Sequence, residues 1–184
     1  QTPNPKPQTP KPKPLYRDMS IFIIMNRKTV YLLLISMFDF GSSFIYDIPQ
    51  SLAPIFKHRL GLESHRTMLL YSAYSFPNLF INLLGGLLTI KFGYKRCLQI
   101  YTCFVTAGQL IFCAGCSANL YWLMALGRVV QGCGAENLMI TQYYSSHQTF
   151  EGSFIITAIG INQCFSYMAN FFSYFSVPYV YMKT

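Results

Sequence analysis

The stretch GRVVQGCGAE, residues 127–136, places an arginine and a glutamate inside an otherwise uncharged apolar run. An ionisable side chain at bilayer depth costs roughly 2.5–3.5 kcal/mol on insertion scales, so such groups face a bundle interior or a watery cavity. The three glycines, Gly127, Gly132 and Gly134, let a neighbouring helix approach closely. Around this stretch the composition is that of a membrane protein. Only 11% of the 184 residues are charged and 52% are hydrophobic, whereas soluble domains carry about a quarter charged residues. No charge occurs from Cys97 to Gly127 or from Gly152 to Met182, and each run exceeds the roughly 20 residues a spanning helix needs. A mean hydropathy of only +0.31 reflects Tyr, Ser, Asn and Gln spread through these runs, which suits helices packed around polar space.

The formal charge of +8 resides in the amino-terminal segment and in short connections. Topology accounts for it, and no basic patch interleaved with aromatics points to nucleic acid. Residues 1–14, QTPNPKPQTPKPKP, read as an extended proline-rich tail. A flexible basic arm beside anionic lipid explains it better than its single PxxP as a ligand for another domain. Ile21–Met25 is too short for the apolar region of a signal peptide. Residues 1–29 thus form a cytoplasmic tail and pre-helix segment. Residues 30–184 form a partial bundle with spans expected at about 30–48, 68–90, 97–117, 122–145 and 153–177. Pro77 should kink the second span. Lys and Arg number six before the first span and three between spans two and three, against three between spans one and two. Nine against three places the amino terminus in the cytoplasm. The six cysteines read as free thiols, and Cys113-x-x-Cys116 lacks the companion ligands a metal needs. No cofactor and no enzymatic constellation is expected, since His58, His65 and His147 stand isolated in connections.

GGLLTIKFGYKR at 85–96 resembles the loop signature of the major facilitator superfamily, and GRVVQGCGAE resembles its fourth-helix signature. FGSSFIYDIPQSL, LLYSAYSFPN, CFVTAGQLIFCAG and YWLMALGR occur in the matching order around them. Together they are most similar to a branch of lysosomal dipeptide carriers, best from Phe38 to Tyr144. The resemblance implies an all-α membrane protein, here the amino-terminal part of a major facilitator fold with about five spans, in which two bundles rock around a midplane site. It further implies dipeptides as substrate, uniport, a lysosomal or vacuolar membrane and a glycosylated accessory membrane protein as partner. Where the loop signature has an aspartate this chain has Ile90, while Gly86, Lys91, Gly93, Lys95 and Arg96 keep the gating-loop pattern. Where the branch directs a fifth-helix arginine at the substrate carboxylate, this chain has Tyr167. Five spans do not complete a six-helix half, so a truncated, transporter-like structural or accessory subunit is the alternative reading.

Glu136 matches the glutamate that the branch directs at the substrate amino group, where a carboxylate makes a charge-assisted hydrogen bond. Arg128 lies eight residues before it, about 12 Å along the axis and roughly 80° around the helix, so the two are not expected to pair. Arg128 is assigned a coupling or structural role. Asp39, with Ser43 and Tyr46 on one helical stripe, is either its local partner or a solvated or protonated acid near the helix end. Tyr46, Asp47, Tyr71, Tyr74 and Asn78 match positions that would shape a peptide-sized cavity or its gate, or else serve as packing.

Overall fold

Proline and glycine punctuate the chain in the computed structural model, which describes residues 15–61 and 63–183, with the backbone alone at 15–26, 59–60 and 181–182. The proline-rich stretch at 1–14 lies outside the described residues. Among the described residues eight helices follow in order: α1 (Leu15–Tyr46), α2 (Ile48–Ser51), α3 (Ala53–Leu60), α4 (Ser64–Ser75), α5 (Asn78–Phe92), α6 (Tyr94–Ser117), α7 (Tyr121–Thr149) and α8 (Ser153–Lys183). No strand occurs among the described residues. The first helix begins well ahead of Val30, because nothing between Leu15 and Pro49 interrupts the backbone ladder. It stops at Tyr46, since Pro49 carries no N–H to give the Ile45 carbonyl. The connection after it contains α2 and α3 and turns at Gly61, φ 59°.

The second span is broken where Pro77 predicts, with α4 ending at Ser75 and α5 starting at Asn78. The Asn78 side-chain amide donates to the Tyr74 carbonyl at the break (3.4 Å), so the kink carries its own polar partner. Among the described residues three segments are long and apolar enough to cross a bilayer: Arg27–Tyr46, Ser64–Phe92 and Tyr94–Ser117. The fourth and fifth expected spans, within α7 and α8, are 29 and 31 residues long but fall outside that set. Their polar residues lie inside the bundle, with Arg128, Gln131 and Gln142 of α7 and Asn162 of α8 all fully buried. On the outside, α5 turns Leu79, Leu83 and Leu87 outward, all more than half exposed, as a lipid-facing helix does.

Helix α7 is the centre of the bundle. It packs along α6, against α4 and α5, and reaches α1 and α8, which pair with each other. The α6–α7 crossing brings backbones into contact: a Cβ on Gly127 would stand 2.5 Å from the Phe112 amide nitrogen, and one on Gly108 2.5 Å from that of Gln131. Phe56, Leu70, Phe112 and Met124 form one apolar cluster, and Cys97, Leu98, Tyr101 and Leu138 another. The α1–α7–α8 seam is polar, with Ser36, Asp39, Gln142, Ser145 and Asn162 buried.

Candidate functional site

A cavity of about 130 Å³ opens between α1, α4, α7 and α8, lined among others by Asp39, Ser43, Tyr46, Tyr74, Glu136, Ser166 and Asn170. Each helix contributes through its spacing. Asp39, Ser43 and Tyr46 follow one another at four and three residues on α1, and Ser166 and Asn170 stand four apart on α8. Glu136 is half-buried on α7, and its Oε1 accepts a hydrogen bond from the Tyr74 hydroxyl at 3.3 Å. Tyr46 seats its ring edge-on to two others, 4.8 Å from Tyr74 and 5.2 Å from Tyr71. The hydroxyls of Ser43 and Ser166 hydrogen-bond across the α1–α8 seam.

Two of the expected cavity residues have other duties. The Tyr71 hydroxyl accepts the backbone N–H of Gln50 at 3.2 Å, tying α4 to the turn after α1. Asn78 serves the α4–α5 break, and neither residue lines the cavity. Tyr167, aligned with the substrate-facing arginine of the branch, is 65% exposed on the outer side of α8, while its neighbour Ser166 faces inward.

Arg128 is fully buried and does not pair with Asp39. Its guanidinium donates to the Tyr46 carbonyl (3.2 Å), the Ile45 carbonyl (3.5 Å) and the Gln131 side chain (3.0 Å), with Phe112 against its face at 4.7 Å. The reason lies in the backbone. The Ile45 carbonyl has lost its helical donor to Pro49, and the Gln50 N–H that would serve Tyr46 is turned to Tyr71. Two orphan carbonyls at a helix C-terminus form a cation site, and Arg128 fills it. Glu136 does not meet Arg128 either. Among the described residues the ion pair within 4 Å is Glu63 with His65, far out on an exposed connection.

The gating-loop residues lie apart from this cavity. Gly93 makes the turn between α5 and α6 at φ 83°, and Lys91, Lys95 and Arg96 stand exposed around it. Gly86 and Ile90 line a separate apolar groove of about 300 Å³ beside Ile140 and Tyr144. The lining residues Ser166 and Asn170 were not among the sequence candidates. Their signal was present in α8 as Asn162, Ser166, Asn170 and Ser173, a polar stripe at helical spacing in an apolar segment.

The Major Facilitator Superfamily profile matches residues 21–183. The chain is 38% identical over 135 residues to the lysosomal dipeptide transporter MFSD1 of Mus musculus, 36% to that of Homo sapiens and 36% to that of Danio rerio. Each match covers 73% of this chain and 29% of the relative, so the chain spans under a third of the length of the curated relatives it matches. An all-helical bundle among the described residues, helices long and apolar enough to span a membrane and a partly polar cavity beside the fourth-helix signature agree with that match, and the chain belongs to the major facilitator superfamily as a multi-pass membrane protein with the amino-terminal part of that fold.

Proposed function

We propose that the protein carries small zwitterionic solutes, dipeptides foremost, by alternating access, and that this chain supplies the amino-terminal part of the carrier. The observation that carries this reading is the half-buried carboxylate of Glu136 in a mid-helix cavity that no basic side chain lines. A carboxylate so placed binds an ammonium through a charge-assisted hydrogen bond in a low-dielectric surrounding. Tyr74 holds it in place from α4, and Tyr46 walls the cavity. The substrate carboxylate is met from outside this cavity, because Arg128 is engaged at the end of α1. Relatives that bear the name of lysosomal dipeptide transporters support the substrate class and a lysosomal or vacuolar membrane. The excess of Lys and Arg before the first span supports a cytoplasmic amino terminus. A glycosylated accessory membrane protein is the partner this reading assigns.

The test is uptake of labelled alanyl-alanine and of N-acetyl-alanyl-alanine by the purified protein in liposomes. The free dipeptide should enter and the acetylated one should not, since acetylation removes the ammonium. Uptake of both at equal rates would overturn the amine-reading role. Uptake of neither by inserted, folded protein would favour a transporter-like accessory subunit.

A further inference from the structure

We propose that this cavity binds a linear α,ω-diamine, with one ammonium group on Glu136 and the other on Asp39. The proposal rests on the amine-binding role given to Glu136 and not on the carriage of dipeptides. Asp39 is 6% exposed and lines the cavity from α1. A charge so enclosed is costly without an opposite charge beside it. Arg128 is committed to the Ile45 and Tyr46 carbonyls and to Gln131, and Lys95 and Arg96 stand exposed at the first turn of α6. Among the described residues neither Asp39 nor Glu136 makes an ion pair.

The cavity lining accepts hydrogen bonds more than it gives them. The Ser43 and Ser166 hydroxyls bond each other, and Ser166 also reaches Asp39. The Tyr74 hydroxyl is given to Glu136 at 3.3 Å. Oriented by its hydrogen-bond network, the Asn170 amide donates to the Ser43 carbonyl (3.2 Å) and the Ser166 carbonyl (3.1 Å), which leaves Asn170 Oδ1 as an acceptor. Two carboxylates and an amide oxygen, with no basic side chain among them, make a site for ammonium groups. A solute carboxylate would meet no cation in it.

Two ammonium groups match this site better than one, because the acids stand at different levels of it. Asp39 and Tyr46 lie on one stripe of α1, seven residues or about 10 Å apart along the axis. The Tyr46 ring packs on that of Tyr74, and Tyr74 holds Glu136. Glu136 thus belongs to the Tyr46 end of the cavity and Asp39 to the other. A single ammonium on Glu136 leaves the Asp39 charge without a partner, whereas a diamine neutralises both. Its methylene chain would lie along the Tyr46 and Tyr74 rings, whose faces also favour a nearby cation. The volume of about 130 Å³ is small beside the roughly 300–1,000 Å³ of sites for drug-sized ligands, which suits a slender chain without side groups.

Titration calorimetry of the purified protein in nanodiscs of zwitterionic lipid tests this with putrescine and butylamine as probes, alongside labelled alanyl-alanine uptake in liposomes. The wild type should bind putrescine about tenfold or more tighter than butylamine, the effect of a second charge-assisted contact. Asp39→Asn should bring the two amines level, and Asp39→Glu, which keeps the charge, should retain the preference. Should Asp39→Asn fail to insert, Glu136→Gln, which removes the other acid, should level the amines in the same way. Equal affinity of the wild type for both amines would overturn the proposal, as would a preference for putrescine that survives either neutral variant. The preference in a protein that takes up no dipeptide would uphold the diamine site and overturn the proposed function instead. Dipeptide uptake without the preference would do the reverse.

Discussion

Substituting Gly132 by alanine should separate α4 from α7. A Cβ at this position would run into the Tyr74 carbonyl oxygen and stand 3.0 Å from its carbon and 3.3 Å from its Cα. All three are backbone atoms, held in place by the break at Pro77, so no side-chain rotation relieves the clash. Overpacking costs about 1–3 kcal/mol, and backbone-only contact sets it near the upper end. The helix-propensity gain of alanine over glycine returns roughly 1 kcal/mol. The net expectation is a loss of about 2 kcal/mol. The matched control is Gly160→Ala on the exposed face of α8, where a Cβ meets nothing within 4 Å. That variant should gain up to about 1 kcal/mol from propensity alone. Both are measured by denaturant unfolding in mixed micelles, followed by circular dichroism. The reasoning is refuted if Gly132→Ala is as stable as Gly160→Ala.

Other variants probe the remaining joints. Ser36→Ala removes the donor to Asn162 Oδ1 in a seam where Asn162 Nδ2 already lacks a partner, and should cost about 1–3 kcal/mol in the same unfolding assay. Arg128→Gln strips the guanidinium from the Ile45 and Tyr46 carbonyls, for a loss of roughly 1.5–3 kcal/mol. That loss should persist in an Asp39→Asn background, and near-complete suppression there would restore the Asp39–Arg128 pair. Tyr74→Phe deletes one long hydrogen bond to Glu136 and should shift apparent dipeptide affinity by less than about tenfold, roughly 1 kcal/mol. A complete loss of uptake would make the Tyr74 hydroxyl a substrate ligand.

Much of this arrangement could be read from residues alone, and the exceptions share a cause. GRVVQGCGAE announces a helix that carries charge into the bundle, and the Pro77 break is explicit in the sequence. Two of the three Arg128 acceptors were not legible, because they are backbone carbonyls and any residue type supplies a carbonyl. What could have been noticed is Pro49, which orphans Ile45 at a predictable offset. Asp39 drew attention as a charge, and an opposite charge is the partner a sequence suggests first. The fold instead sets it beside Ser166, Asn170 and the second acid Glu136. Tyr71 and Asn78 matched cavity positions by motif, yet each serves the backbone at a helix break. Apolarity alone singles out three segments among the described residues, whereas α7 and α8, where two more spans are expected, hold Arg128, Gln131, Gln142 and Asn162 fully buried.

These features assign separate tasks to the two charges of α7. Arg128 closes the end of α1, and in the proposed function Glu136 binds the substrate ammonium. The most direct test of that division is uptake of alanyl-alanine in liposomes by Glu136→Gln against the wild type, with circular dichroism confirming equal folding. Loss of a charge-assisted hydrogen bond of roughly 1.5–3 kcal/mol predicts uptake about 10- to 100-fold slower at low substrate. Uptake by Glu136→Gln equal to that of the wild type would contradict the account.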